Sequence, residues 1–572
     1  MLKLLKKGWT SGRLRAKRDT PHQDAPELAP LESTADANAA LELALAHRRA
    51  GRVTSALECL EGLLALRPDC APAYVEQGDI LAALDRNEDA ADSFAMALVH
   101  DDKNPRAWSG YGKLLRGCGR VGEAVTYLQR AVTLPGAPAD TWLALALALN
   151  ESGNTAAAIA AYEKAIQTAP SELAGYVNLG LIYVSQLGDP ARAELLFRKA
   201  IELDLGAVEP QVNLGLALHE QGRIEEALTH YTRLIASDPH NAEYRWHRAC
   251  ARLSIGDYSG GWIDHEARKL RRGRWREPPP FPEWDGRKQT ARKLLIYAEQ
   301  GIGDEIMFAS CLPDVLQVAQ SCIVECDSRL AELFRRSFPS AIVRGVERVS
   351  EKPSWIESHP DITAQCAIGS LPLHYRRSVE DFDDRSAYLK AAPHCASKWL
   401  QEFPLATHRL RVGIAWKGGT FKTRRELRSI ELSHWRPVFS LPGIDFFALQ
   451  FANSDELQAI PLLEESLFHP LHERATDFDE LAALIATLDL VITVQGTTAH
   501  LAGALGRPVW ILLSQSAEWR YMMRGDRMPW YASALLVRQK RAGEWDDVFQ
   551  AVAHRLANLS SSLPQLIRYD QG

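Results

Sequence analysis

The run Glu299-Gln300-Gly301-Ile302-Gly303-Asp304-Glu305 places two glycines and a carboxylate where an apolar segment, Leu294–Ala298, gives way to a helical pattern. Glycines there allow a tight strand-to-helix turn and bring a substrate close to a helix start. Asp304 is then placed to act as a helix cap or as a general base facing a cleft. The run lacks the third glycine of the dinucleotide fingerprint, so it does not predict a nicotinamide or flavin site.

Two more apolar segments end in loops suited to phosphate. Gly413-Ile414-Ala415-Trp416 leads into Lys417-Gly418-Gly419, followed by Lys422, Arg424, Arg425 and Arg428. Backbone donors with cations suit a diphosphate, whose charge must be stabilised as it leaves; the alternative is a solvated basic loop. Leu490–Val494 leads into Gln495-Gly496-Thr497-Thr498-Ala499-His500 and an Ala/Gly-rich helix. Uncapped amides at that helix start, with the Thr497 and Thr498 hydroxyls, form a phosphate cradle to which His500 could donate. The Asp-x-Asp triplets at 381–383 and 477–479 are no more than this composition produces by chance, and no metal is expected. The chain has no Walker A loop, zinc-protease helix motif or nucleophile elbow, which sets aside kinase and hydrolase readings.

The elements that must position these loops have two different periods. Up to residue 241 the period is 34: Tyr74, Trp108, Trp142 and Tyr176, each followed four residues later by Gly78, Gly112, Ala146 and Gly180. Ala90, Ala124 and Ala158 follow, then Phe94, Leu128 and Tyr162, with Pro68 and Pro170 closing two units. The pattern resembles tetratricopeptide repeats closely: antiparallel helix pairs that stack into a solenoid. The register extends back to Ala40 and forward through Gly215, Ala227, Tyr231 and Pro239, giving six repeats and a degenerate cap over 37–265. Such an array has a concave face suited to an extended polypeptide. Asn178 and Asn213 share one repeat position; resemblance to the tetratricopeptide arm of O-GlcNAc transferases, whose inner-face asparagines hold a peptide backbone, implies that they are acceptor-peptide contacts, the alternative being packing within their own helices.

Residues 266–292 combine a basic run (Arg268, Lys269, Arg271, Arg272, Arg274, Arg276) with Pro278, Pro279, Pro280 and Pro282, and read as a linker. Beyond it, strand-like segments at Leu294–Ala298, Cys322–Cys326, Ala341–Arg344, Leu410–Trp416, Phe446–Gln450, Leu490–Val494 and Val509–Leu513 alternate with helical patterns. That alternation predicts parallel α/β sheets, here two Rossmann-like lobes at 293–400 and 401–572. Ligands in such folds bind beyond the carboxyl ends of the strands, where all three loops lie.

Composition narrows the classes further. A net charge of −6 gives no general attraction to nucleic acid, and no apolar run is long enough to span a bilayer. The basic first 36 residues read as a disordered tail. Nine scattered cysteines without a Cys-x-x-Cys pair predict neither disulfides nor structural zinc, and fit the reducing cytoplasm.

Residues 293–560 resemble the GT-B domain of bacterial tetratricopeptide glycosyltransferases, related to the heptosyltransferases and more distantly to O-GlcNAc transferases. The resemblance is carried by Trp284-Asp285-Gly286, the 298–304 stretch, the 490–506 stretch, Glu518-Trp519-Arg520 and Pro529-Trp530-Tyr531. It implies a tetratricopeptide solenoid followed by an α/β GT-B domain, with metal-independent inverting transfer from a nucleotide-sugar and no cofactor. Asp304 matches the family's base. Thr497, Thr498 and His500 match the phosphate-facing part of the family's donor loop, in which Gln495 stands where the family has Asp, and Lys417 takes the place of its basic donor-phosphate residue in a loop that differs in detail; Gly301, Gly303, Arg424 and Gly496 are donor-site candidates from the loops described above. The implied acceptor is a Ser or Thr of a polypeptide held by the repeats, and some members of the family modify flagellin with CMP-linked nonulosonic acids. A glycan or lipopolysaccharide transferase and an inactive repeat scaffold are the alternatives.

Overall fold

The computed structural model describes residues 34–271, 277–287, 292–347, 355–356, 359–382, 387–404, 409–419, 424–450, 468–470, 477–515 and 517–566. The expected tail lies outside these residues except for 34–36, where a helix, Thr34–Arg49, has already begun. The chain falls into two compact units, residues 1–182 with 196–206, and residues 183–195 with 207–572.

The first unit is helical, and its period has a steric origin. A Cβ on Gly78 would stand 2.8 Å from the Phe94 ring, and one on Gly180 would stand 2.5 Å from that of Phe197. The small residue of each first helix therefore receives the large residue of the second. The repeating aromatics anchor the preceding loops: the Trp108 indole donates to the Asp102 carbonyl at 2.8 Å, and the Tyr176 hydroxyl to that of Pro170 at 3.2 Å. Helix pairs turn through a left-handed residue, glycine at 119 (φ +76°) and 153 (φ +82°), as a side chain there is strained.

The second unit begins with the last repeats, Val208–Glu220 with Ile224–Ser237 and Ala242–Ser254 with the short Tyr258–His265. The segment expected as a linker is not one at its start. Glu266–Leu270 continues as a 3-10 helix with Arg268 buried, because its charge is met by carboxylates within the fold. Residues 272–276 and 288–291 lie outside the described residues. Between them Trp284 is buried and its backbone N–H donates to the Gln365 carbonyl at 2.8 Å.

Two sheets follow. The first runs β3-β2-β1-β4, all parallel: β1 Lys293–Tyr297, β2 Ser321–Asp327, β3 Ile342–Val346 and β4 Ala364–Ala367. The second runs β10-β11-β9-β8-β5-β6-β7, parallel except for β10 against β11. Its strands are β5 Leu410–Ala415, β6 Ile444–Ala448, β7 Phe468–His469, β8 Leu490–Val494, β9 Val509–Leu513, β10 Arg527–Met528 and β11 Tyr531–Arg538. The chain reverses its direction of travel beside β1 in the first sheet and between β5 and β8 in the second. These are the switch points at which parallel sheets open a crevice.

The segment around residues 388–402 is tied to both sheets' helices, the Lys390 amide donating to Ser337 Oγ at 2.9 Å. The Tyr388 and Leu389 amides both donate to the Ala504 carbonyl at 3.1 Å, and the helix Pro393–Glu402 sends its Trp399 indole to Glu480 at 3.0 Å. One continuous hydrophobic core contains Leu253, Tyr258 and Trp262 of the last repeat together with residues of both sheets. Trp262 donates to the Arg376 carbonyl at 2.6 Å and meets Phe308, Trp519 and Trp530 edge-on. The last repeat is thus part of the α/β body. Among the described residues no helix is long and apolar enough to cross a membrane.

Candidate functional site

The turn after β1 and the loop after β8 come together. A Cβ on Gly303 would lie 3.2 Å from the His500 ring and 3.5 Å from Thr497 Oγ1, so glycine lets the helix Ile302–Phe308 approach the start of Thr497–Ala504. Asp304 caps the turn, Oδ2 accepting from the Gly301 amide at 3.2 Å, while Oδ1 accepts from Arg520 Nη2 at 2.6 Å. The loop after β5 joins the same place. A Cβ on Gly418 would stand 2.6 Å from the Gln495 carbonyl oxygen, and the Trp416 and Lys417 amides both donate to Gln450 Oε1 at 2.9 Å.

Gly496, Thr497 and Thr498 are half-buried at a helix start with no side-chain cap and no acid in its first turn. Space remains there, since a Cβ on Gly496 would meet nothing within 4 Å. An uncapped, acid-free helix start attracts an anion. Lys417 is half-buried beside it.

Three sequence expectations change in this setting. His500 is buried, with Nδ1 3.0 Å from the Tyr531 hydroxyl and Nε2 3.4 Å from that of Tyr521. Burial, reinforced by Arg520, pushes its pKa down to about 3, so the ring is neutral and holds the helix in place rather than donating to phosphate as a cation. Gln495 is buried as well; its Nε2 donates to Ser514 at 3.3 Å and its Oε1 accepts from the Glu518 amide at 3.4 Å. Arg424, at φ +60°, donates to Glu220 at 2.7 Å, and its charge is spent on the end of a repeat helix.

The two asparagines differ. Asn178 Nδ2 donates to the Ala174 carbonyl of its own helix at 2.8 Å, the packing role. Asn213 is buried, and its Nδ2 has no hydrogen-bond partner among the described residues. Three of the Asp-x-Asp residues have local duties: Asp477 caps the helix Phe478–Ala486, Asp479 pairs with Arg336, and Asp381 accepts from the Arg377 and Ser378 amides at 2.8 Å, while Asp383 lies outside the described residues.

Sequence reasoning did not single out two charged groups. Arg520, stacked 5.0 Å over Trp519, joins Asp304 to Glu518, which also meets Arg428. Arg268 donates to Glu299 at 2.9 Å, to Glu266 at 2.7 Å and to Ser370 at 2.7 Å, bracing the turn from behind. The one local clue was the Glu-Trp-Arg run shortly after β9.

Comparison with known proteins agrees with the repeats. Residues 41–105 and 143–208 match one Tetratricopeptide repeat family and residues 185–253 another. Over 539 residues the chain is 27% identical to Protein FlbA of Caulobacter vibrioides, an overlap of 91% of this chain and 84% of that protein. A 180-residue stretch is 32% identical to cellulose synthase operon protein C of Xanthomonas axonopodis pv. citri, covering 29% of this chain and 12% of that one. Among solved structures, PilW, a type IV pilus biogenesis factor, is 20% identical with a TM-score of 0.35, over 37% of this chain and 98% of its own. MamA is 26% identical with a TM-score of 0.26, over 28% and 94%. The chain carries tetratricopeptide repeats ahead of an α/β region, and its similarity to FlbA runs through both.

Proposed function

We propose that the chain is a glycosyltransferase of the GT-B type, moving a sugar from a nucleotide-sugar to a Ser or Thr hydroxyl of a polypeptide gathered by the repeats. The observation that carries this reading is the meeting of the Gly301–Asp304 turn with the Gly496–Thr498 helix start at the switch points of two parallel sheets. A leaving diphosphate at the uncapped amides would find its charge stabilised by them, by Lys417 and by the nearby guanidinium of Arg520. Asp304, on the opposite wall, would take the proton of the attacking hydroxyl. Cations and amides supply the stabilisation that a metal provides in other transferases.

The experiment is intact-mass analysis of secreted and cytoplasmic proteins from cells with and without this gene, and with Asp304→Asn. A sugar-sized mass lost from one polypeptide in both deficient strains is the expected result. Unchanged polypeptides with altered lipid-linked glycan would move the acceptor to a glycan. The scaffold alternative draws on the repeats and on the buried, locally satisfied Gln495; a phenotype complemented fully by Asp304→Asn would favour it.

A further inference from the structure

Four charged side chains form an unbroken chain along the crevice: Asp304, Arg520, Glu518 and Arg428. Asp304 belongs to the first lobe and the other three to loops of the second. Arg520 and Arg428 are nearly enclosed, with side-chain exposures of 12% and 10%. The Nε of each is buried without a hydrogen-bond partner among the described residues. A guanidinium has five donors, and these two leave one each unused while sharing carboxylates. The Glu518 amide and the Tyr521 hydroxyl tie the same loop to Gln495 and His500, which flank the helix start.

We propose that Arg520 exchanges partners during the reaction. In the empty site it holds the Asp304 carboxylate; when a nucleoside diphosphate group settles at the Gly496–Thr498 amides, Arg520 turns to the phosphate and releases Asp304 to the acceptor. This rests on the glycosyl-transfer reading and adds an order to it, donor first and base second. In the step that follows, the acceptor oxygen bonds to the anomeric carbon and its proton passes to Asp304. The bond from that carbon to the phosphate oxygen breaks, and its electron pair leaves on the diphosphate beside Arg520. Arg520 is a positioning residue for the base and a binding residue for the leaving group.

The exchange predicts that removing the candidate base strengthens nucleotide binding, because the phosphate no longer competes with Asp304 for Arg520. The test is calorimetric titration of the full chain with UDP, GDP, ADP and CMP in turn. The nucleotide bound by the wild type binds about fivefold tighter to Asp304→Asn and to Glu518→Gln, and at least about tenfold weaker to Arg520→Gln, with Arg520→Lys between. Equal affinity in wild type, Asp304→Asn and Glu518→Gln overturns the exchange, even where Asp304→Asn still abolishes sugar transfer and so leaves the glycosyl-transfer reading standing. Binding of none of the four nucleotides to the wild type overturns both.

Discussion

Arg268 Nε donates to Glu299 Oε1 at 2.9 Å, and so ties the last turn of the repeat array to the strand-end turn that carries Asp304. The same guanidinium satisfies Glu266 and Ser370, and a Cβ on the neighbouring Gly369 would stand 2.5 Å from the Glu299 carboxylate. A buried cation with this many partners fixes the turn from behind while leaving its front open.

Arg268→Ala leaves the largely enclosed Glu299 carboxylate without its cation and Glu266 with Lys269 alone, and is expected to cost about 3 kcal/mol in urea unfolding. It also changes the acid limb. Burial alone would raise the Glu266 carboxyl, but Arg268 and Lys269 outweigh it and hold it down to about 2, against 4.5 in the unfolded chain. The stability so gained is complete above about pH 4.5 and is lost as pH falls toward 2, at most roughly 3 kcal/mol. The variant should show a shallower decline over that range; an unchanged slope would mean that Arg268 does not set the Glu266 charge.

His500 gives a second pH signature. Its folded pKa of about 3 lies below the ordinary 6.5. Between those values the unfolded chain binds the extra proton, so stability falls as pH drops through the window, by about 1.4 kcal/mol per unit from this one group. His500→Gln keeps a donor and an acceptor between Tyr521 and Tyr531 while removing the titration. It should cost about 1–2 kcal/mol at pH 8 and flatten the curve below 6.5. Identical curves would show that the ring takes up its proton equally in the folded and unfolded chain, and so is not held neutral by burial.

Gly418 and Gly496 make a matched pair. Gly418→Ala forces a methyl group against the Gln495 carbonyl and should lose about 1–3 kcal/mol of stability, with nucleotide binding weakened alongside. At Gly496 the backbone is extended and the Cβ position is open, so Gly496→Ala should leave the melting temperature nearly unchanged while reducing nucleotide affinity. Full affinity in Gly496→Ala would move the phosphate away from this helix start.

Asp85 has φ +57° at the repeat position filled by glycine at 51, 119, 153, 188, 222 and 256. Asp85→Gly should relieve that conformation and raise the urea midpoint of the repeats, a gain of about 0.5–1 kcal/mol. A loss would show that the aspartate side chain earns its place through a contact worth more than the strain.

The legible parts of this fold were those written locally. The 34-residue period shows in sequence because each glycine meets one ring a fixed distance along the chain. Strands β1, β2, β3, β5, β6, β8 and β9 stand out as apolar runs, whereas β4 (Ala-Gln-Cys-Ala) has no β-branched residue although all four are buried. The turn at 301–304 and the loop after 494 were readable as glycines at strand ends. The pairings of Arg520, Arg268 and Arg424 were not, since their partners Asp304, Glu299 and Glu220 lie 216, 31 and 204 residues away. Composition misled at 266–271, where an arginine-rich run looks solvated until its carboxylates are counted.

The shared core around Trp262 bears on how this architecture can be re-engineered. A chimera that swaps one repeat array for another cannot be cut at the prolines near 278–282, where the eye would place the scissors, because that cut strips an indole and its neighbours from the α/β half. The workable splice lies upstream of Val208, so that a new array is grafted onto an α/β body that keeps its own final two helical hairpins.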